Sequence, residues 1–65
     1  MYNLHGDITI EADGSVTLVV SVYSKDMQTE YGLMCISNGE LVKAIGKKKT
    51  LTEKVWPIVK QAFHL

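Results

Sequence analysis

The chain has 65 residues, 46% of them hydrophobic, and its seven lysines balance seven acidic residues, so its formal net charge is zero. That length predicts a single small domain, residues 1–65, whose core is marginal on its own. The single cysteine, Cys35, excludes an internal disulfide and is more typical of a small buried apolar residue than of a nucleophile.

The N-terminus and the apolar runs indicate where the protein works. No basic segment is followed by an apolar one at the N-terminus, and the longest apolar run, residues 33–36, has four residues. We therefore expect no signal peptide, no membrane span and a cytoplasmic location. Because neither a disulfide nor a metal cluster can supplement the small core, we also expect a homodimer.

Charge is divided unevenly along the chain. Residues 1–40 contain six acidic residues and one lysine, whereas residues 41–65 contain one acidic residue and six lysines. This polarity favours electrostatic steering of a partner or head-to-tail pairing of two copies. All the basic residues are lysines, so the chain lacks the planar guanidinium group that best recognises phosphate and guanine.

Residues 7–23 alternate between apolar and polar side chains, a pattern that predicts two strands of a hairpin. The intervening loop favours a type I turn followed by Gly14 in the left-handed region. That loop puts the long aliphatic side chains of both strands on one face. The predicted cross-strand pairs are Ile10 with Val16 and Ile8 with Leu18. Residues 1–6 are predicted to form a loose arm.

Residues 30–36 predict a third strand that is apolar on both faces. We expect Tyr31, Leu33 and Cys35 to join the core face, with Met34 and Ile36 outward. The reverse assignment fits the pattern almost as well.

Residues 37–49 carry two conflicting signals. The Asn38-Gly39 pair is a strong signal for a two-residue hairpin, which would lead into a fourth strand. The stretch from Ser37 to Glu40 is instead a capping-box pattern and favours a short helix. We prefer the helix because a strand would trap Lys43 between two apolar neighbours. The predicted fold is therefore α+β in the order β-β-β-α-α, and the alternative has four strands plus one helix.

Residues 50–65 predict a longer, amphipathic C-terminal helix. Thr50 and Glu53 form a capping box at its start, and an advance of about 100° per residue collects its apolar side chains on one side. Pro57 falls on the polar side, so we expect one helix bent at Pro57 rather than two helices. The predicted core face comprises Leu51, Val55, Ile58, Val59, Ala62 and Phe63, with Trp56 at its edge.

The first candidate site is the run Lys47, Lys48, Lys49 and Thr50 at the start of that helix. Unpaired N–H groups and the positive end of the helix dipole there meet three ammonium groups, which could bind an anion. The glycine spacing of a nucleotide-triphosphatase P-loop is missing. A solvated linker is the competing interpretation.

The second candidate site is apolar. If Met34 and Ile36 face away from the helices, they join Val19 and Tyr23 of the neighbouring strand in an exposed patch of a composition typical of interfaces. With Trp56 they form the candidate protein-binding or dimer surface. The competing interpretation is that this strand is covered by its own chain.

No constellation of residues points to a reaction. His5 and His64 lie far apart in sequence without a third metal ligand, and nothing supplies a nucleophile with its base. We expect no catalytic residues, no metal and no cofactor. The leading hypothesis is a small non-enzymatic protein that occludes a surface of a larger protein, as phage and mobile-element inhibitors do. The alternative is a nucleic-acid or nucleotide-binding module that uses the lysine run.

Overall fold

The computed structural model describes residues 2–65, which form a four-stranded antiparallel sheet with a helical segment packed on one face. The strands lie side by side in chain order: β1 (Tyr2–Ile10), β2 (Val16–Ser24), β3 (Glu30–Ser37) and β4 (Glu40–Gly46). The helical segment, residues 48–63, comprises α1 (Lys48–Thr50), a π-helical turn (Leu51–Val55) and α2 (Trp56–Phe63). The predicted α+β fold is confirmed, in its four-stranded form. No helix in residues 2–65 has the length and apolar character needed to cross a membrane.

The hairpin between β1 and β2 has the predicted register. Ile10 lies opposite Val16 and Ile8 opposite Leu18, and Gly14 has a φ of 89°, a conformation that side chains disfavour. The Glu11 carbonyl accepts a hydrogen bond from the Gly14 N–H at 3.0 Å, which closes the turn. Local turn chemistry is therefore sufficient to set this pairing.

The predicted loose arm is wrong for residues 2–6, and Met1 lies outside the described residues. Tyr2 packs its ring edge-on against Tyr31, with centroids 5.4 Å apart, and Leu4 packs against the core. The Asn3 side-chain amide also donates to the Lys25 carbonyl at 2.8 Å. These contacts come from distant parts of the chain and extend β1 back to Tyr2.

The prediction of a helix after Gly39 is wrong, because residues 40–46 form β4. Asn38 and Gly39 have φ values of 51° and 84°, as a two-residue hairpin requires. The register shifts at Val42, so that Leu41 lies opposite Ile36 and Lys43 opposite Cys35. This bulge turns Leu41 towards the core and Lys43 away from it, which removes the predicted conflict.

The preferred orientation of β3 is also wrong. Met34 lies opposite Val20 and Ile36 opposite Leu18, so both share the buried face, where they are 0% and 1% exposed. A second bulge, at Tyr31, shifts the β2–β3 register. Because a shift of one residue exchanges the two faces of a strand, Leu33 and Cys35 lie on the opposite side of the sheet.

The core lies between one face of the sheet and the helical segment. Its members are aliphatic side chains and one methionine, and within residues 2–65 no buried polar side-chain atom lacks a hydrogen-bond partner. The buried residues are Leu18, Val20, Val22, Met34, Ile36, Leu51, Val55 and Val59.

The helical segment begins earlier than the capping box predicts. Lys47 occupies the N-cap position, and Thr50 already has helical angles and makes no side-chain capping bond. The chain stays helical across Pro57, as predicted. A π-helical turn precedes the proline, with the Trp56 N–H bonded to the Leu51 carbonyl.

The π-helical turn explains which side chains face the core. Leu51, Val55 and Val59 are buried at intervals of four residues, whereas an α-helix turns every 3.6 residues and would carry that series off the face. A turn closed by i→i+5 bonds contains more residues and offsets the drift. Ile58 and Ala62, predicted to face the core, are exposed.

The burial of Met34 can be tested with a second methionine as its control. Met34→Ala should lower the free energy of unfolding by about 2–5 kcal/mol, because it leaves a cavity in the core. Met27→Ala, in the β2–β3 loop and 49% exposed, should change it by less than about 0.5 kcal/mol. Urea unfolding followed by circular dichroism measures both, and equal losses would contradict the orientation of β3.

Candidate functional site

The helical segment leaves an apolar groove at the hairpin end of the sheet. The groove has a volume of about 140 Å³. We name it the hairpin groove, and its lining residues are Ile8, Val16, Leu18, Ile36, Asn38, Gly39, Phe63 and Leu65. Two turns meet there, since the Asn38 N–H donates to the Val16 carbonyl at 3.1 Å.

The groove exists because the helical segment ends before the strands do. His64 adopts left-handed angles and ends the helix, and the Leu65 N–H folds back to the Lys60 carbonyl. Beyond this point nothing in residues 2–65 covers Ile8 and Ile10, which are 67% and 73% exposed. Apolar residues clustered in this way on a small protein are typical of interaction surfaces.

One wall of the groove depends on a glycine. A Cβ atom built on Gly6 would lie 3.0 Å from the Phe63 ring, which is closer than carbon atoms pack. The absence of a side chain at Gly6 therefore lets the ring lie against the β1 backbone and fixes the helix end beside Ile8.

Acidic residues surround the hairpin end of the sheet. Glu11 follows the exposed Ile10, Asp13 lies in the turn, and Glu40 follows the lining residue Gly39; all three are exposed. The Asp13 carboxylate accepts two hydrogen bonds from Ser15, one from the backbone N–H at 2.9 Å and one from the hydroxyl at 2.7 Å. These bonds lower the pKa of Asp13 from its ordinary value of 3.8. We name Glu11, Asp13 and Glu40 the acidic rim.

The side of the sheet opposite the helical segment, here the open face, is mixed in character. Val19 lies opposite Cys35 on this face, and Leu33 lies opposite Ile45. His5 and Tyr23 meet edge-on with ring centroids 5.7 Å apart. The negative charge of Glu30 raises the pKa of Tyr23.

The structure does not bring together the residues of the predicted apolar patch. Val19 and Tyr23 are half-buried on the open face, whereas Met34 and Ile36 lie beneath the helical segment. Trp56 packs at the edge of the core, with the Lys60 ammonium 5.7 Å from its ring centroid. Only Ile36 reaches the hairpin groove, as part of its wall.

At the lysine run, backbone N–H groups that the predicted anion site needs are already hydrogen-bonded. Lys47, Lys48 and Lys49 are exposed, but the Leu51 N–H, predicted to be free, donates to the Lys47 carbonyl at 2.9 Å. The Lys47 N–H donates to the Tyr31 carbonyl, also at 2.9 Å. Thr50 lies beside Glu53, whose carboxylate shares the same shallow depression.

Nothing in the described residues resembles a metal centre. Within residues 2–65, no three His, Cys, Asp or Glu side chains lie close enough together to hold an ion. Cys35 is a half-buried free thiol on the open face.

The sequence analysis missed the hairpin groove. A nine-residue strand spans about 30 Å, whereas 16 helical residues span about 24 Å, so a single helix leaves part of the sheet uncovered. The alternation pattern assigned Ile8 and Ile10 to the core, but it carries no information on how far the helical segment reaches along the sheet.

No protein-family model, curated protein or solved structure matches this chain.

Asp13 should remain ionised to lower pH than an ordinary aspartate. A lowered folded-state pKa contributes stability above the unfolded-state value, near 3.8, and this contribution is lost as the pH falls through the folded-state value. Carbon-detected NMR titration should give Asp13 a pKa below 3.8. Ser15→Ala, which removes the hydroxyl donor, should raise it. The pKa of Asp26, which is bonded to Ser24, is the internal control, and a Ser15→Ala chain with unchanged Asp13 titration would contradict this account.

Proposed function

We propose that this chain is a small non-enzymatic protein-binding module that holds an apolar side chain of a larger protein in the hairpin groove. The main support is the exposure of Ile8, Val16 and Leu65, which line one depression whose other walls are mostly apolar. A surface of this kind exposes hydrophobic side chains to water at a cost that a bound partner relieves.

A partner side chain buried in the groove contributes to affinity. Burial of one large aliphatic side chain contributes about 1.5–3 kcal/mol, and each 1.4 kcal/mol corresponds to about tenfold in affinity. Ile8 and Val16 line the groove directly, and Phe63 supplies an aromatic wall. An apolar anchor seated among them resembles the buried centre of a protein interface.

The acidic rim supports a more specific statement about the partner. Glu11, Asp13 and Glu40 are exposed acidic residues and give the hairpin end a negative field. Charges at the edge of an interface set association rate and partner choice more than affinity. The preferred partner segment therefore has a large apolar or aromatic residue flanked by Lys or Arg. Binding it would occlude that surface of the larger protein, as expected from the sequence.

The lysine run supports a second candidate function, binding of nucleic acid or nucleotide. Three exposed lysines in sequence provide the positive charge that phosphate contacts need. Two observations weigh against it: the local backbone N–H groups of Lys47 and Leu51 are already bonded, and Glu53 lies in the same depression.

A displayed peptide library tests the proposal without requiring the partner to be identified first. Selection against the wild-type chain should enrich peptides with an apolar anchor between basic residues. Val16→Glu, which puts a charge in the groove, should weaken the selected peptides at least tenfold by calorimetry. The matched control is Val42→Glu, since Val42 is 63% exposed on the β4 bulge, away from the groove.

Two outcomes would overturn the proposal. One is peptide binding that Val16→Glu leaves unchanged. The other combines two results. The chain binds a fluorescent single-stranded oligonucleotide and loses this binding when Lys47, Lys48 and Lys49 are changed to Glu, and the library yields no peptide that binds the groove. That second result would establish the nucleic-acid candidate instead.

A further inference from the structure

The outer edge of β1 presents an unpaired row of backbone hydrogen-bonding groups. β1 is an edge strand, because it pairs only with β2, and its nine residues follow β2 without a register shift. The Glu11 N–H bonds to the Ser15 carbonyl at 2.8 Å, and backbone groups alternate in direction along an antiparallel strand. The odd-numbered residues of β1 therefore bond to β2, and the even-numbered ones point their N–H and C=O groups outward.

The two edges of the sheet are protected unequally. On β4, the bulge at Val42, the side chain of Lys43 and Gly46 with its φ of 111° interrupt a regular edge, and such features prevent strands from adding. β1 has no bulge, no lysine and no proline. A second strand can therefore add at β1 and not at β4.

Compatible side chains lie opposite each other when β1 of one copy pairs antiparallel with β1 of a second copy. The pairing is centred on Gly6, the middle residue of the strand. His5 then lies opposite Asp7 of the second copy, and Asn3 opposite Thr9, so hydrogen-bonding groups meet on the open face. On the helix side, Leu4 lies opposite Ile8 and Tyr2 opposite Ile10. Pairs of an aromatic and a β-branched residue stabilise neighbouring strands.

This register also agrees with the direction of the backbone groups. Gly6 is even-numbered, so its N–H and C=O point outward. In a register centred on Gly6, every other even-numbered residue also lies opposite an even-numbered residue of the second copy, so the outward groups of the two strands can bond to each other. The full strand then forms about ten main-chain hydrogen bonds across the edge. A centre at Ile8 would pair a shorter stretch and leave Tyr2 unpaired, and a centre at Asp7 would put two carboxylates opposite each other.

We propose that two copies of this chain associate through their β1 edges, antiparallel and centred on Gly6, into one continuous eight-stranded sheet. A twofold axis perpendicular to the sheet at Gly6 keeps both helical segments on the same face and brings the two Phe63 rings to either side of the axis. The association uses main-chain groups of β1, whereas the proposed function uses side chains of the hairpin groove.

Sedimentation velocity with a charge exchange tests both the association and its register. The wild-type chain should sediment as a dimer. His5→Glu places carboxylates opposite Asp7 at two symmetric positions and should weaken the dimer about tenfold. Adding Asp7→Lys to His5→Glu puts opposite charges at these positions and should restore the dimer. Lys43→Glu on the protected edge is the control and should leave the dimer unchanged.

Cross-linking gives a second readout of the same register. Positions 5 and 7 form a pair without mutual hydrogen bonds, with Cα atoms about 4.5 Å apart, within disulfide range. Two variants are made in the Cys35→Ser background, one with His5→Cys and one with Asp7→Cys. When the two are mixed and oxidised, the disulfide between positions 5 and 7 should form in excess of the 5–5 and 7–7 disulfides.

A wild-type chain that is monomeric at every concentration would overturn the proposal. So would a dimer that is indifferent to the charge exchange, or equal yields of mixed and symmetric disulfides. Val16→Glu lies on β2 and should leave the dimer intact, so failure of groove binding and failure of dimerisation are separate results.

Discussion

The structure depends on one constraint, that a single helical segment must cover a four-stranded sheet. Leu51, Val55 and Val59 provide the contact, and the π-helical turn keeps these three residues in line across the middle of the sheet. Their burial against Val20 and Met34 accounts for the centre of the core. The hairpin end and the whole open face remain without a covering layer from residues 2–65.

Two bulges decide which side chains that segment covers. The β2–β3 shift at Tyr31 and the β3–β4 shift at Val42 each exchange the faces of the residues that follow. The first puts Met34 and Ile36 on the core face, and the second puts Lys43 on the open face. The chemistry of the open face therefore follows from two single-residue insertions rather than from the alternation pattern.

The parts of the fold that were predictable are those set by local interactions. The first hairpin follows from Gly14 and the strict alternation around it, and the C-terminal helix follows from its period. The face of β3 was not predictable, because Met34 and Leu33 are equally apolar and only pairing with Val20 decides between them. The hairpin groove was not predictable either, since it depends on where Phe63 comes to lie on Gly6.

β1 is the strand on which both proposals converge. It has a neighbour on one side only, and its residues from His5 to Ile10 are exposed. In the proposed dimer, Leu4 of the second copy lies beside Ile8, which also lines the hairpin groove. Pairing at the edge therefore places a residue of the second copy next to one wall of the groove.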